Sequence, residues 1–241
     1  MEILPLGDSA LILRVREQFD DAPEESLDEV LRTLQQLRNA AIPGIIEFAP
    51  AYTSVAIFFD PITVAEASGN PETIFDWLTN AIRKVVPAGA DRGGRMKVSK
   101  RGVRIVEIPV CYAAEFAPDM DDVARHAELT TNEVVNLHSA AEYRVACVGF
   151  VPGFPFLAGL PNKLATPRRE TPRKEIPPGS VGIGGAQTGI YPLRSPGGWN
   201  LIGRTPLKLF DAARKPAALL CAGDRVRFRA ITREEFESLK K

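Results

Sequence analysis

Residues 147–206 constrain this chain more than any other part of it. They make up one quarter of the length, yet they carry 11 of its 19 glycines and 10 of its 20 prolines. Each proline fixes φ and removes a backbone donor, so no long regular helix can run through the stretch. A loop-rich segment of that length inside a compact domain is uncommon unless it builds a site. Three pieces stand out: GFVPGFPFLAGL (149–160), PRRETPRKEIPPGSVGIGGAQTGIYP (167–192) and SPGGWNLIGRTP (195–206).

Each piece has a physical reading. Gly153 lets the backbone turn between prolines that stiffen it, and Phe150, Phe154 and Phe156 supply an apolar wall or simply core. Trp199 and Ser195 could continue that wall. The Gly-Gly pairs at 184–185 and 197–198 permit positive φ and close approach to a ligand or partner. Arg168 and Arg173 are forks suited to a carboxylate or phosphate, with Glu170 and Glu175 at hand as rival partners. Gln187, Thr188 and Tyr191 offer uncharged groups that could orient an amide or lactam. His138 is the one side chain here suited to acid/base work near neutral pH, against the plainer reading of a structural histidine on a helix.

The rest of the chain reads as two small α+β domains: residues 1–88, then a polar glycine-rich linker or exposed hairpin over 89–102, then residues 103–241. In the first, SALILRV (9–15), residues 45–49 and TSVAIFF (53–59) read as strands. A helix with a Ser26-x-x-Glu29 capping box and another over 71–86 complete a small α/β sandwich. The second opens on the strand VRIVEIPVCY (103–112), whose Pro109 points to an edge or a bulge. Helices follow near 119–127 and 131–141, the latter capped by Thr130 and Glu133. Tyr143, Val145 and Cys147 alternate as a strand. So does Arg225–Arg229, whose three arginines belong on a solvated face, before a short helix capped by Thr232.

Thirty basic and thirty acidic residues cancel, which argues against an electrostatic nucleic-acid binder. The cysteines at 111, 147 and 221 are odd in number and without a CxxC, so they read as buried structural thiols rather than disulfides or a metal site. No segment reads as a signal peptide or membrane span, and a cytoplasmic location is expected. GxxxxGK[ST], GxSxG and HExxH are absent, and GIGGAQ fails GxGxxG at Gln187. A chain without its own ATPase or hydrolase engine points to one component of a larger enzyme or to a binding protein.

The three pieces, together with LGDSALIL near the start, EIPVCY in the middle and LFD…GDRVRF near the end, resemble the family of the 5-oxoprolinase B component, KipI and allophanate hydrolase subunit 1. The resemblance covers nearly the whole chain. It implies an N-terminal α+β domain followed by a cyclophilin-like β-barrel. It also implies association with a homologous C component and a third component to form an ATP-dependent 5-oxoprolinase, with ATP shared with the partners and the isolated chain inactive. The positions that match the family's motifs are His138, Phe154, Arg168, Arg173, Gln187, Tyr191, Ser195 and Trp199, while Phe156 stands where tyrosine is expected. On this basis the expected site has His138 as acid/base, Arg168, Arg173, Gln187, Tyr191 and Ser195 binding substrate, Phe150, Phe154 and Trp199 forming an apolar groove, and no metal. Two rival functions belong to the same family: inhibition of a sensor histidine kinase, and a carboxyltransferase half acting with carboxybiotin on urea. The second would need a biotin carrier that this chain lacks.

Overall fold

The structure, a computed structural model, describes residues 1–19, 22–87 and 104–240, so the expected linker over 89–102 lies outside the described residues. The chain divides into two compact units, Met1–Gly102 and Val103–Lys241.

In the first unit, alternation along β2 (Ala10–Arg14) and β4 (Ser54–Phe59) turns Leu11, Leu13, Val55, Ile57 and Phe59 to one face, where all are buried. With β1 (Glu2–Pro5) and β3 (Ile45–Ala51) these strands form an antiparallel sheet in the order β1-β2-β4-β3. Three helices bury their apolar residues against it: α1 (Pro23–Ala40), α2 (Pro61–Ser68) and α3 (Ile74–Val85). The sandwich expected from the sequence is present. Two local expectations are not met. Helix α1 begins at Pro23, where the missing N–H costs nothing. Ser26 is therefore not a cap but lies inside the helix, buried, its hydroxyl accepting from Arg16 Nη1 at 3.2 Å. Helix α2 went unread, although Asp60-Pro61 announces it: the Asp60 carboxylate accepts from the Ile62 N–H and the Thr63 hydroxyl.

The second unit is a closed seven-stranded barrel. Its strands are β5 (Ile105–Cys111), β6 (Glu142–Val148), β7 (Pro155–Ala158), β9 (Ser180–Gly184), β10 (Gln187–Ile190), β12 (Asn200–Arg204) and β13 (Arg225–Ile231), in the order β6-β13-β5-β12-β9-β10-β7, with β7 pairing back to β6. The two remaining strands, β8 (Arg173–Ile176) and β11 (Ser195–Gly197), form a separate ribbon. Ile108, Val110, Tyr143, Val145, Leu157, Val181, Ile183, Ile190, Ile202 and Val226 belong to the barrel's core. Helices α4 (Met120–Ala127) and α5 (Thr131–Ala140) add Val123 and Val134 to it, and α6 (Arg233–Leu239) follows β13.

β5 and β13 run parallel over seven register pairs, whereas β5 meets β12 only at the pair Cys111–Arg204. Pro109 therefore lies where one flank of the ladder is open, which is the edge-like setting its missing donor requires. The arginines of β13 do line a wet face, but each is ion-paired: Arg225 and Arg227 to Glu142, Arg229 to Glu107 and Glu235. The capping box at α5 is complete. The Thr130 hydroxyl accepts from the Glu133 N–H, and the Glu133 carboxylate accepts from the Thr130 N–H at 2.8 Å. Thr130→Ala should lower stability by about 1 kcal/mol, read from a shift in the thermal midpoint. Among the described residues no helix is long and apolar enough to cross a membrane.

Candidate functional site

Strands β9 and β10 carry side chains on one face and almost none on the other. Val181, Ile183 and Ile190 enter the barrel core, while Gly182, Gly184 and Gly189 leave the opposite face bare. A cluster of Phe154, Ile176, Tyr191, Trp199 and Leu201 fills that bare surface. The fit is close. A Cβ on Gly184 would lie 2.5 Å from Trp199 Nε1, one on Gly189 2.9 Å from Phe154 Cζ, and one on Gly197 2.4 Å from Tyr191 Oη. Of the glycine pairs that suggested an approaching ligand, Gly184 and Gly197 instead make room for the chain's own aromatic rings, while Gly185 takes the expected positive φ of +64° with open space around it.

Phe154 and Trp199 are 2% and 5% exposed, so they form a sealed floor rather than the open apolar groove expected from the sequence. Phe156 and Phe150 border the floor, packed against Phe154 at centroid distances of 4.7 and 5.7 Å. Only Phe150 stands out from it, 61% exposed and held at φ +68°. Gln187 is half-buried on the same bare face as Gly189. Tyr191 is buried, which raises its pKa; a hydrogen bond to the Trp199 backbone and then the charges of Arg168 and Arg173 pull it the other way. Ser195 is buried opposite Ile176, its hydroxyl without a hydrogen-bond partner.

The arginines divide by role. Arg168 is exposed, its guanidinium carbon 5.9 Å from the centroid of the Trp199 ring. Arg173 is committed elsewhere. It grips Asp119 through both terminal nitrogens at 2.8 and 2.7 Å, and Arg169 Nη1 shares the same carboxylate at 2.7 Å. The Leu201 N–H donates to Asp119 Oδ2 at 2.7 Å, so the buried carboxylate accepts four hydrogen bonds. Glu175, the rival expected for Arg173, pairs with Arg194 instead. Asp119, Arg169 and Asn200 were not legible as site residues. Asp119 sits where a helix cap belongs, but its side chain makes no cap hydrogen bond and turns to the arginines.

His138 lies apart from this surface, inside the barrel unit and with no exposed area. The Thr188 hydroxyl donates to the Gly182 carbonyl at 3.0 Å, so it accepts from His138 Nε2, also at 3.0 Å. Nδ1 then accepts from the Tyr112 hydroxyl at 2.8 Å. Burial pushes the imidazole pKa down to about 3. With both nitrogens engaged and no route to solvent, the neutral ring ties α5 to β10, and the acid/base role expected of it does not fit its geometry.

The cysteines need one correction. Cys111 and Cys147 are buried, with the Cys147 thiol pushed up to about 11, but Cys221 is exposed. A thiol-specific reagent should therefore label one cysteine promptly in the native protein and the other two only on unfolding, with peptide mapping placing the first label on Cys221. A cavity of about 830 Å³ lies in the first unit, lined by Met1, Glu2 and residues 14–18 among others, and shares no residue with the aromatic floor.

Comparison with known proteins places this geometry. The chain is 41% identical to a Bacillus subtilis protein named as the B component of 5-oxoprolinase, over 99% of its own length and 96% of the relative's. It is 39% identical to a protein of the same name from Escherichia coli O157:H7, over 92% and 93% of the two lengths. Among solved structures, that of TTHA0988 superposes with a TM-score of 0.73 at 34% identity, covering 92% of this chain and 40% of that longer one. The model of the family described as carboxyltransferase domain, subdomain C and D, matches residues 1–220, and this chain belongs to that family.

Proposed function

We propose that this chain is the B component of a cytoplasmic, heteromeric, ATP-dependent 5-oxoprolinase that opens the lactam of 5-oxo-L-proline to L-glutamate. The observation that carries this reading is the near end-to-end similarity to proteins bearing that name. The lactam is held closed by amide resonance, which is why ring opening would be coupled to ATP.

The helices of the second unit do not fit a nucleotide's phosphates. The first turns of α4, α5 and α6 carry Asp121 and Asp122, Glu133, and Glu234 and Glu235, which repel a polyphosphate where a helix N-terminus would otherwise attract one. On this reading ATP is shared with the partners, a homologous C component and a third component, which would supply much of the phosphate site. This chain's contribution is the face of exposed Arg168 and half-buried Gln187 beside the Trp199 floor, where a carboxylate and an amide can be oriented together.

The test is co-expression with both candidate partners and an assay of ATP-dependent glutamate release from 5-oxoproline. Turnover that requires every component supports the reading. A stable assembled complex without turnover would sink it. The similarity to proteins named as urea carboxylase and urea amidolyase would then direct the same complex to urea with carboxybiotin.

A further inference from the structure

The loop that carries Arg168 is fixed on both sides of that residue. Before it, Asn200 Nδ2 donates to the Pro167 carbonyl at 2.8 Å. After it, the Arg169 N–H donates to the Gly198 carbonyl at 2.7 Å, and the Arg169 side chain is held by Asp119. Four residues further on, Arg173 binds the same carboxylate bidentately. Asp119 is itself tied to β12 by two backbone bonds, its N–H donating to the Leu201 carbonyl and its carboxylate accepting from the Leu201 N–H. Asn200 and Asp119 are 5% and 2% exposed, so both anchors belong to the interior.

Between these anchors Arg168 projects outward, and among the described residues no carboxylate pairs with it; Glu175 is taken by Arg194, and Asp119 by Arg169 and Arg173. A guanidinium lying over an indole keeps its N–H edges free for a planar acceptor. If Arg168 served only to cap Trp199, holding the neighbouring backbone at two points would add little, since a mobile arginine caps a ring as well. Holding its backbone in advance, with the guanidinium over the Trp199 ring, lowers the entropy cost of ordering the side chain when an anion binds.

We infer that Arg168 is the receptor for the substrate's carboxylate, and that Asp119, Arg169 and Asn200 are positioning residues that hold it in place. Arg173, a sequence-level candidate for the same contact, belongs to the clamp. The ligand class is a small ring amide bearing one carboxylate. That identification rests on the proposed function, and the experiment separates the two.

The full-length chain carrying Trp77→Phe leaves Trp199 as its single tryptophan, so its emission reports directly on the Arg168 site. It is titrated with 5-oxo-L-proline and, separately, with 2-pyrrolidinone, the same lactam without the carboxylate. The expected result is a saturable change with 5-oxoproline alone. Arg168→Gln should weaken it at least about tenfold with the thermal midpoint unmoved, and Arg168→Lys should restore part of it. Arg169→Gln cuts one anchor but keeps the Asp119–Arg173 pair. It should weaken binding about threefold to tenfold, and Arg169→Lys should recover part of that. In the assembled complex the same variants should raise KM while kcat changes little.

Equal responses to both ligands, no response to 5-oxoproline, or unchanged affinity in Arg168→Gln would each overturn the inference. Turnover of 5-oxoproline with an unaltered KM in Arg168→Gln would overturn it while the proposed function stands. Arg168-dependent binding without turnover in an assembled complex would support the receptor and remove the proposed function.

Discussion

His138→Ala should cost the second unit about 3–5 kcal/mol, among the largest effects of any single change in this chain. The ring stacks on Phe228 with centroids 4.5 Å apart, so truncation opens a cavity beside the barrel core. It also strands the Tyr112 hydroxyl and leaves Thr188 without its donor, each a buried group that loses a partner. Urea denaturation at pH 7.5 measures the loss.

The same residue sets a pH dependence. Burial holds the folded imidazole at about 3, below its usual value near 6.5, so the unfolded chain binds a proton that the folded chain refuses. The stability is whole above about pH 6.5 and falls as the pH drops toward 3, by a factor approaching ten in the folding constant for each unit. Glu133, Glu142 and Asp211, whose carboxyls lie below the usual range through their hydrogen bonds, add their own loss at more acid pH. Midpoints between pH 7.5 and 5 therefore isolate the histidine. A slope that survives in His138→Gln would refute this assignment.

Gly184→Ala should destabilise the protein by about 2–3 kcal/mol even though it adds a single methyl. That methyl would enter the Trp199 indole, meeting Cδ1 at 2.6 Å and Cδ2 at 2.7 Å as well as Nε1. Trp199→Ala alone should cost about 3–5 kcal/mol, because the ring is almost wholly buried against Phe154 and Phe156. The two costs should not add. Once the indole is gone, Gly184→Ala has nothing to strike, and a double-mutant cycle should return a coupling close to the whole Gly184→Ala penalty. Additive costs would mean the glycine is kept for its backbone and not for the ring.

The sequence announced a strand through alternation in residues 225–229 and marked residues 147–206 by their density of glycine and proline, while the barrel itself was implied by the family resemblance. It could not announce what the glycines were for. A glycine on a bare strand face reads the same whether a ligand or the chain's own tryptophan lies over it. The arginines failed for a related reason: Arg168 and Arg173 look equivalent in PRRETPR, and only the fold brings Asp119 from fifty-four residues away to occupy one of them. Capping signals fared according to how local they were. Thr130 and Glu133 close their box within one turn, but Ser26 and Glu29, with the same spacing, lost to Pro23 three residues upstream. His138 was rightly placed on a helix. Its burial depends on Tyr112 and Thr188, which approach from other elements.

The parallel pairing of β5 with β13 has a consequence for synthesis. Residue 105 meets residue 225, so the first strand of the barrel to leave the ribosome must wait for the last. At roughly 5–20 residues per second the interval is roughly 6–24 s, during which β5 has no native neighbour on its long flank. A strand left so long without a partner is a template for other nascent chains. On the opposite flank Pro109 offers no N–H for a stranger to bind, and in the finished barrel that flank lacks a partner strand beside it. What β5 offers to other chains is thereby narrowed to the flank that β13 will cover.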